Sequence, residues 1–254
     1  MLFPLWLVAC LFQGGARSAP LESGLVRSVE LDAPPGTYVA YFRLDAPGAP
    51  AAPPVGLLRY VAGPDAEGGE RVETELLFLS EGLRVVHGER ARGDERRTVF
   101  REFGRRSGRT LVLSGTVGGS YEATELGGPE VVRRSLASGG EFPLGLLEDA
   151  RSGRAVPGAL AVFEPLAGSF EPTTLATRGG FEERTLEARR ADGSLRWSAT
   201  FRGAELLALG WSEAGPRARV VAREEYERLR NEHELAKGMA EEAAARSAGL
   251  RPRR

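Results

Sequence analysis

The chain has 254 residues, 42% of them hydrophobic and 27% charged, which suits one large all-β domain that folds without staples. Its net charge of -1 gives no basic excess with which to capture nucleic acid or an anionic membrane surface. Arginine fills every cationic position except Lys237, Asn231 is the one asparagine and isoleucine is absent, the pattern of a GC-rich, bacterial genome. Arginine number is therefore no evidence of phosphate-binding or carboxylate-binding forks.

In chain order, the first element is an apolar run from Leu2 to Phe12, too short to cross a bilayer and read as the core of a signal peptide over residues 1–19. Gly14 and Ala16 stand at the small-residue positions of a cleavage site after Ala16. This assigns the protein to the exported class, periplasmic or secreted. Leu7-Val8-Ala9-Cys10 supports a second reading, a lipobox whose Cys10 is lipidated, making the protein an outer-membrane lipoprotein. Cys10 is the only cysteine, so no disulfide, zinc-thiolate site or cysteine nucleophile is available to the folded domain.

Beyond the leader, short alternating apolar runs are separated by Gly, Pro and acidic turns. They predict strands over 25–32, 37–45, 55–62, 70–79, 82–90, 95–104, 109–116, 119–125, 130–137, 158–164, 173–178, 181–191, 194–202, 204–212 and 216–222. The expected fold is all-β and mainly antiparallel, a curved sheet of half-barrel or barrel-like form over residues 20–222, with Pro- and Gly-rich connections at 46–54 and 63–69. No apolar stretch reaches 18 residues, so no transmembrane span is expected in the mature chain.

Asp192-Gly193 predicts a tight two-residue hairpin turn. Pairing outward sets Arg190 opposite Leu195, Ala188 opposite Trp197, Leu186 opposite Ala199 and Arg184 opposite Phe201. Leu186, Ala188, Leu195, Trp197 and Phe201 then form an apolar face that needs a second layer, a curl of the sheet or a ligand to cover it. The other face carries Thr185, Glu187, Arg189, Arg196, Ser198 and Thr200, with Arg189 facing Arg196 and Glu187 placed to bridge them.

Two helices are expected. Pro143 opens a short one through Leu144, Leu146, Leu147 and Glu148 to about Ser152-Gly153, suited to a plug or lid over the sheet. The other runs from Arg223 to Ser247 with a thin stripe of Tyr226, Leu229, Ala236, Ala240 and Ala243, supported by Glu224–Arg228 and Glu242–Arg246 pairs, and residues 223–254 make a terminal helix and tail.

Catalytic motifs are missing. There is no Gly-x-Ser-x-Gly, P-loop or dinucleotide-binding glycine pattern, and only His87 and His233 could serve as histidine acids, bases or ligands. No catalytic residue, metal or cofactor is assigned. His87 shares a strand face with Glu89, as a pH-sensitive pair or as a core-edge histidine; His233 lies between Glu232 and Glu234 on a solvated helix face. Glu164 is read as a turn cap or a buried carboxylate. Glu73 with Glu75, Glu182 with Glu183, and Glu148 with Asp149 are the carboxylate pairs a glycan hydrolase would need across a cleft.

The series of short strands, Phe142-Pro143-Leu144-Gly145-Leu146-Leu147 at mid-chain, Gly158 to Pro165, Asp192 to Trp197, and a closing Arg-rich strand into a Glu-Glu-Tyr helix resemble, in layout, bacterial exported β-rich proteins of unknown function. The layout is also similar to the lipoprotein-carrier half-barrels and to β-rich domains that precede some bacterial transglutaminase-like domains. The resemblance covers most of 25–230 and implies a curved sheet without implying any functional residue. The leading expectation is a non-enzymatic envelope protein that binds an apolar ligand such as a lipid chain, or a partner protein, on the concave sheet face. Its rivals are a carboxylate-based hydrolase of envelope glycans and a structural accessory protein.

Overall fold

The computed structural model describes residues 35–247 except 50–51, 80–82, 104–107, 118, 128–129, 137–139, 165–166 and 181. The signal peptide, Cys10 and the strand expected at 25–32 lie outside the described residues. Fifteen strands form one curved, unclosed, mostly antiparallel sheet. All but β9 lie within a few residues of their predicted spans: β1 Tyr38–Asp45, β2 Gly56–Pro64, β3 Glu70–Phe78, β4 Leu83–Arg92, β5 Glu95–Phe103, β6 Gly108–Thr116, β7 Tyr121–Leu126 and β8 Val132–Leu136. After β9 (Gly140–Glu141) and α1 (Pro143–Arg151) come β10 Ala159–Glu164, β11 Ser169–Gly179, β12 Arg184–Arg190, β13 Leu195–Arg202, β14 Glu205–Trp211, β15 Arg217–Val221 and α2 Arg223–Ser247. The two-residue β9, too short to carry a periodic pattern, pairs parallel to β10 and was not expected.

Strand order explains how the sheet is assembled. β1 to β8 run outward from the centre as one meander, and β15 back to β9 form a second on the other side of β1. The two meanders join where β1 pairs with β15, Tyr41 opposite Val221 through Asp45 opposite Arg217. That seam is reinforced by charge. The buried Asp45 carboxylate takes Arg43 Nε at 2.7 Å from its own strand and Arg219 Nε at 2.8 Å from β15.

Alternation along each strand separates two faces. Ala40, Phe42 and Leu44 of β1 are buried, as are Leu58, Tyr60 and Ala62 of β2 beside them, and these join one core cluster with the α1 residues Leu144, Leu146, Leu147 and Ala150. α1 touches β3 and β4 on one side of the curve and β10 on the other, so it fills the concavity that the sheet encloses. Helix α2 packs against β1 through Tyr226, whose ring centroid lies 5.0 Å from that of Tyr41, and through Glu225, 3.9 Å from Arg43. Tyr41 and Arg43 alternate with the core residues Phe42 and Leu44, which puts α2 on the convex side. From Glu234 to Ala244 every α2 residue is exposed, and Arg228 turns to Glu232 at 2.7 Å instead of back to the expected Glu224.

Among the described residues no strand pairing joins the far ends of the two meanders, which meet through side chains. Phe142, at the entrance to α1, sits among Tyr121 of β7, Phe163 of β10 and Phe170 of β11, with ring centroids 5.4, 5.7 and 6.1 Å from its own. A side chain on Gly168, in the β10–β11 turn, would run into the Arg134 guanidinium of β8. Aromatic packing thus draws together edges that backbone pairing leaves open.

The β12–β13 hairpin corrects two details. Arg184, Leu186 and Ala188 face Phe201, Ala199 and Trp197 as expected, but a bulge then sets Arg189, not Arg190, opposite Leu195. The turn is also longer than two residues: Gly193 N–H donates to Arg190 O and Arg190 N–H to Ser194 O, with Gly193 at φ +81°. This is a three-residue connection whose last member needs a left-handed backbone, which glycine supplies without strain. The bulge moves Arg196 off the solvated face. It becomes buried against Glu164 Oε2 at 2.7 Å, Thr173 Oγ1 at 2.9 Å and Glu171 at 3.3 Å, while Glu187 bridges Arg189 to Arg178. Glu164 is therefore an ion-pair partner of Arg196.

Candidate functional site

The site worth building is the concave face beneath and beside α1, because the buried polar groups converge there. α1 forms where the sequence placed it: Pro143 at the first helical position has no N–H to satisfy, and three leucines follow within its first turn and a half. Its N-cap, Phe142, makes no capping side-chain hydrogen bond. The free N–H groups of Leu144 and Gly145 donate instead to the buried Glu89 carboxylate of β4, at 3.0 and 2.6 Å. A carboxylate at a helix N-terminus accepts charge-assisted hydrogen bonds and complements the helix dipole.

Glu89 has a second neighbour. His87 Nε2 lies 3.1 Å from its Oε1 and 3.0 Å from Thr98 Oγ1, with the imidazole edge-on to Phe100. His87 and Glu89 were expected on one strand face and do meet there, in the core.

At the other end, Ser152, Gly153 and Arg154 close α1 by backbone geometry: Gly153 N–H donates to Ala150 O, Arg154 N–H to Asp149 O, and Gly153 takes φ +79°. Arg184 of β12 adds a guanidinium donor to the Ala150 and Arg151 carbonyls. The helix is thus held by a carboxylate from one meander and a guanidinium from the other, each at the end its dipole favours.

Between these ends runs a polar chain. The fully buried Tyr60 donates its hydroxyl to Glu148 Oε2 at 2.9 Å, Arg151 grips the same carboxylate with two bonds of 2.7 Å, and its guanidinium covers the Tyr38 ring at 4.3 Å. Tyr38 in turn accepts the Leu206 N–H of β14. Burial, with the Glu148 charge beside it, pushes the Tyr60 hydroxyl well above its ordinary range, so it remains a proton donor. Farther along, burial raises the Glu102 carboxyl; Arg109 offsets part of that rise and Glu125 adds to it.

A pH-dependent effect follows from Glu102. A carboxyl whose folded value exceeds its unfolded value of about 4.5 keeps its proton in the fold while the unfolded chain has lost it, so stability falls as pH rises from 4.5 through the raised value. Glu102→Gln is expected to match the parent below that window, exceed it at neutral pH and flatten the decline. Urea midpoints measured across pH 4 to 8 check this; a variant less stable than the parent at pH 7 contradicts it.

The apolar face named from the hairpin is real in part. Leu186, Ala188 and Phe201 are buried, whereas Leu195 and Trp197 are half-buried. Leu186 and Phe201 line a cavity of about 180 Å³ together with Ala150, Val156, Arg154 and Arg184. A larger space of about 370 Å³ lies among strand ends and turns, edged by Asp65, Glu67 and Glu95 and by Arg90, Arg92, Arg96 and Arg97.

Most carboxylates of the expected pairs are engaged by an arginine or a tyrosine. Glu75 binds Arg84 at 2.6 Å and Glu73 binds Arg71 at 3.3 Å; Glu148 is held by Tyr60 and Arg151, while Asp149 binds Arg154. Glu182 and Glu183 are exposed beside the β11–β12 turn. Among the described residues no three of His, Cys, Asp and Glu converge as a metal ion would require, His233 and its neighbours included. No helix among them is long and apolar enough to cross a membrane.

Sequence reading missed Glu89 and Arg184 as the two anchors of α1 and the Tyr60–Glu148 bond. The available signal was a charged residue at a position where strand alternation calls for an apolar one: Glu89 follows Val85 and His87, and Arg184 precedes Leu186 and Ala188. Comparison of the chain with protein-family models, curated proteins and solved structures finds no match.

Proposed function

We propose that this is a non-enzymatic exported envelope protein that binds an apolar ligand, such as a lipid chain, on the concave face of its sheet. The observation that supports the reading is the space of about 180 Å³ beside the C-terminal end of α1, with Ala150, Val156 and Thr177 in its lining next to the buried Leu186 and Phe201. Curved sheets with a mostly apolar interior suit ligands whose binding energy comes from burial, about 25 cal/mol per Å² of apolar surface. The pairing of Glu73, Glu75, Glu148 and Asp149 with arginine or tyrosine speaks against a hydrolase built on those pairs.

Organic extraction of the full chain purified from an envelope fraction, followed by mass spectrometry, is expected to recover a long-chain lipid in near-stoichiometric amount. Recovery of none, together with no uptake of an added alkyl-chain ligand, overturns the proposal.

A further inference from the structure

A whole-chain charge of -1 hides how charge is shared between the two faces of the sheet. In β4 to β8 the inward positions include Val85, Glu89, Phe100, Leu111 and Ala123, so the alternate positions point outward on the convex side. Those outward positions carry six arginines, Arg84, Arg90, Arg92, Arg97, Arg101 and Arg133. Only two carboxylates, Glu95 and Glu122, stand among them.

Elsewhere in the fold arginines are closely matched: Arg43, Arg109, Arg151 and Arg219 each hold a carboxylate at 2.6 to 2.8 Å. On this face Arg84 is held in that way, by Glu75 of β3 at 2.6 Å. Arg90 and Arg92 stand off from Asp65 and Glu67 of the β2–β3 turn at 3.7 and 3.9 Å. The exposed guanidinium groups of Arg97, Arg101 and Arg133 form no ion pair or side-chain hydrogen bond among the described residues. Arg90 and Arg97 are moreover directly opposite each other on adjacent strands, where like charges repel unless an anion lies between them.

Apolar side chains fill the space between these cations. Val99 faces Val112 at the middle, and Phe103 and Leu126 are 41% and 40% exposed toward one end. Arginines around exposed apolar groups complement both layers of an anionic bilayer surface, the acidic head groups and the acyl boundary below them. A soluble polyanion satisfies the arginines but leaves Phe103 and Leu126 in water. Helix α2 packs on β1, away from these strands.

We propose that the convex face of β4 to β8 docks on a membrane surface rich in anionic lipid, with Arg97, Arg101 and Arg133 on the head-group phosphates and Phe103 and Leu126 at the acyl boundary. This surface is separate from the concave face and stands whether or not that face takes a ligand.

Co-sedimentation of the full chain with phosphatidylcholine vesicles, with and without phosphatidylglycerol, tests it. Binding at least about tenfold tighter to the anionic vesicles is expected, fading as salt is raised. Whatever the apolar run at residues 2–12 adds is common to both vesicles, so the difference between them is the readout. Arg97→Glu, Arg101→Glu and Arg133→Glu together are expected to abolish that preference. Arg178→Glu, Arg202→Glu and Arg217→Glu, at exposed positions of the other meander, change net charge equally and are expected to retain most of it. Equal binding of the unaltered protein to both vesicles overturns the proposal without recourse to any variant. An equal loss from the two triple variants overturns it as well, since net charge is then the cause. Capture by heparin with no vesicle binding replaces the lipid surface by a soluble polyanion and also overturns it.

Discussion

Glu89→Ala is expected to lower the stability of the protein by about 3 kcal/mol, the scale of losing charge-assisted hydrogen bonds to buried donors. Two N–H groups of α1 lose their acceptor at once, and both lie over a core that offers no replacement. For a chain of this size the change corresponds to a fall in Tm of roughly 6–12 °C. Denaturant melts followed by fluorescence and far-ultraviolet circular dichroism measure it. Glu89→Gln retains an acceptor oxygen but sets its amide donor against the second N–H, so about half the loss is expected. A cost below about 1 kcal/mol for the alanine variant means that α1 is held by its leucines alone.

Phe142→Ala acts at the other structural weak point, the unclosed seam. Removing a buried phenylalanine costs about 3–5 kcal/mol when the site cannot collapse, and here the ring contacts residues from β7, β10 and β11 together. β7 lies near one end of the sheet order and the paired β10 and β11 near the other, with no pairing between β7 and either among the described residues, so side chains must supply what a closed barrel obtains from pairing. The expected outcome is a loss of about 4 kcal/mol, with amide exchange faster in β7 and β10 than in β1 and β2. Uniform acceleration across all strands contradicts a local seam.

Strand positions were legible because alternation and turn residues are local signals. Leu186, Ala188 and Phe201 were readable as one buried face for that reason, and Pro143 marked the start of α1. The bulge at Ala188/Arg189 was not legible, since a one-residue slip beyond the hairpin turn depends on what Arg196 can reach, namely Glu164 and Thr173, 32 and 23 residues earlier. The candidate site was only half visible. Its apolar floor lies within a single hairpin, but its polar anchors come from β4 and β12, nearly 100 residues apart in the chain.

The sequence alone thus determined the fold class, the approximate spans of the described strands other than β9 and of both helices, and the buried Leu186, Ala188 and Phe201 of one hairpin, because period-two alternation and capping chemistry act between near neighbours. Tertiary structure decided the joining of the meanders through β1 and β15, the unclosed seam around Phe142, and the placing of α1 across the interior with a carboxylate at one end and a guanidinium at the other. Those outcomes depend on which distant side chains can reach one another once the sheet curves. Pairing over such separations leaves no periodic mark in a single chain.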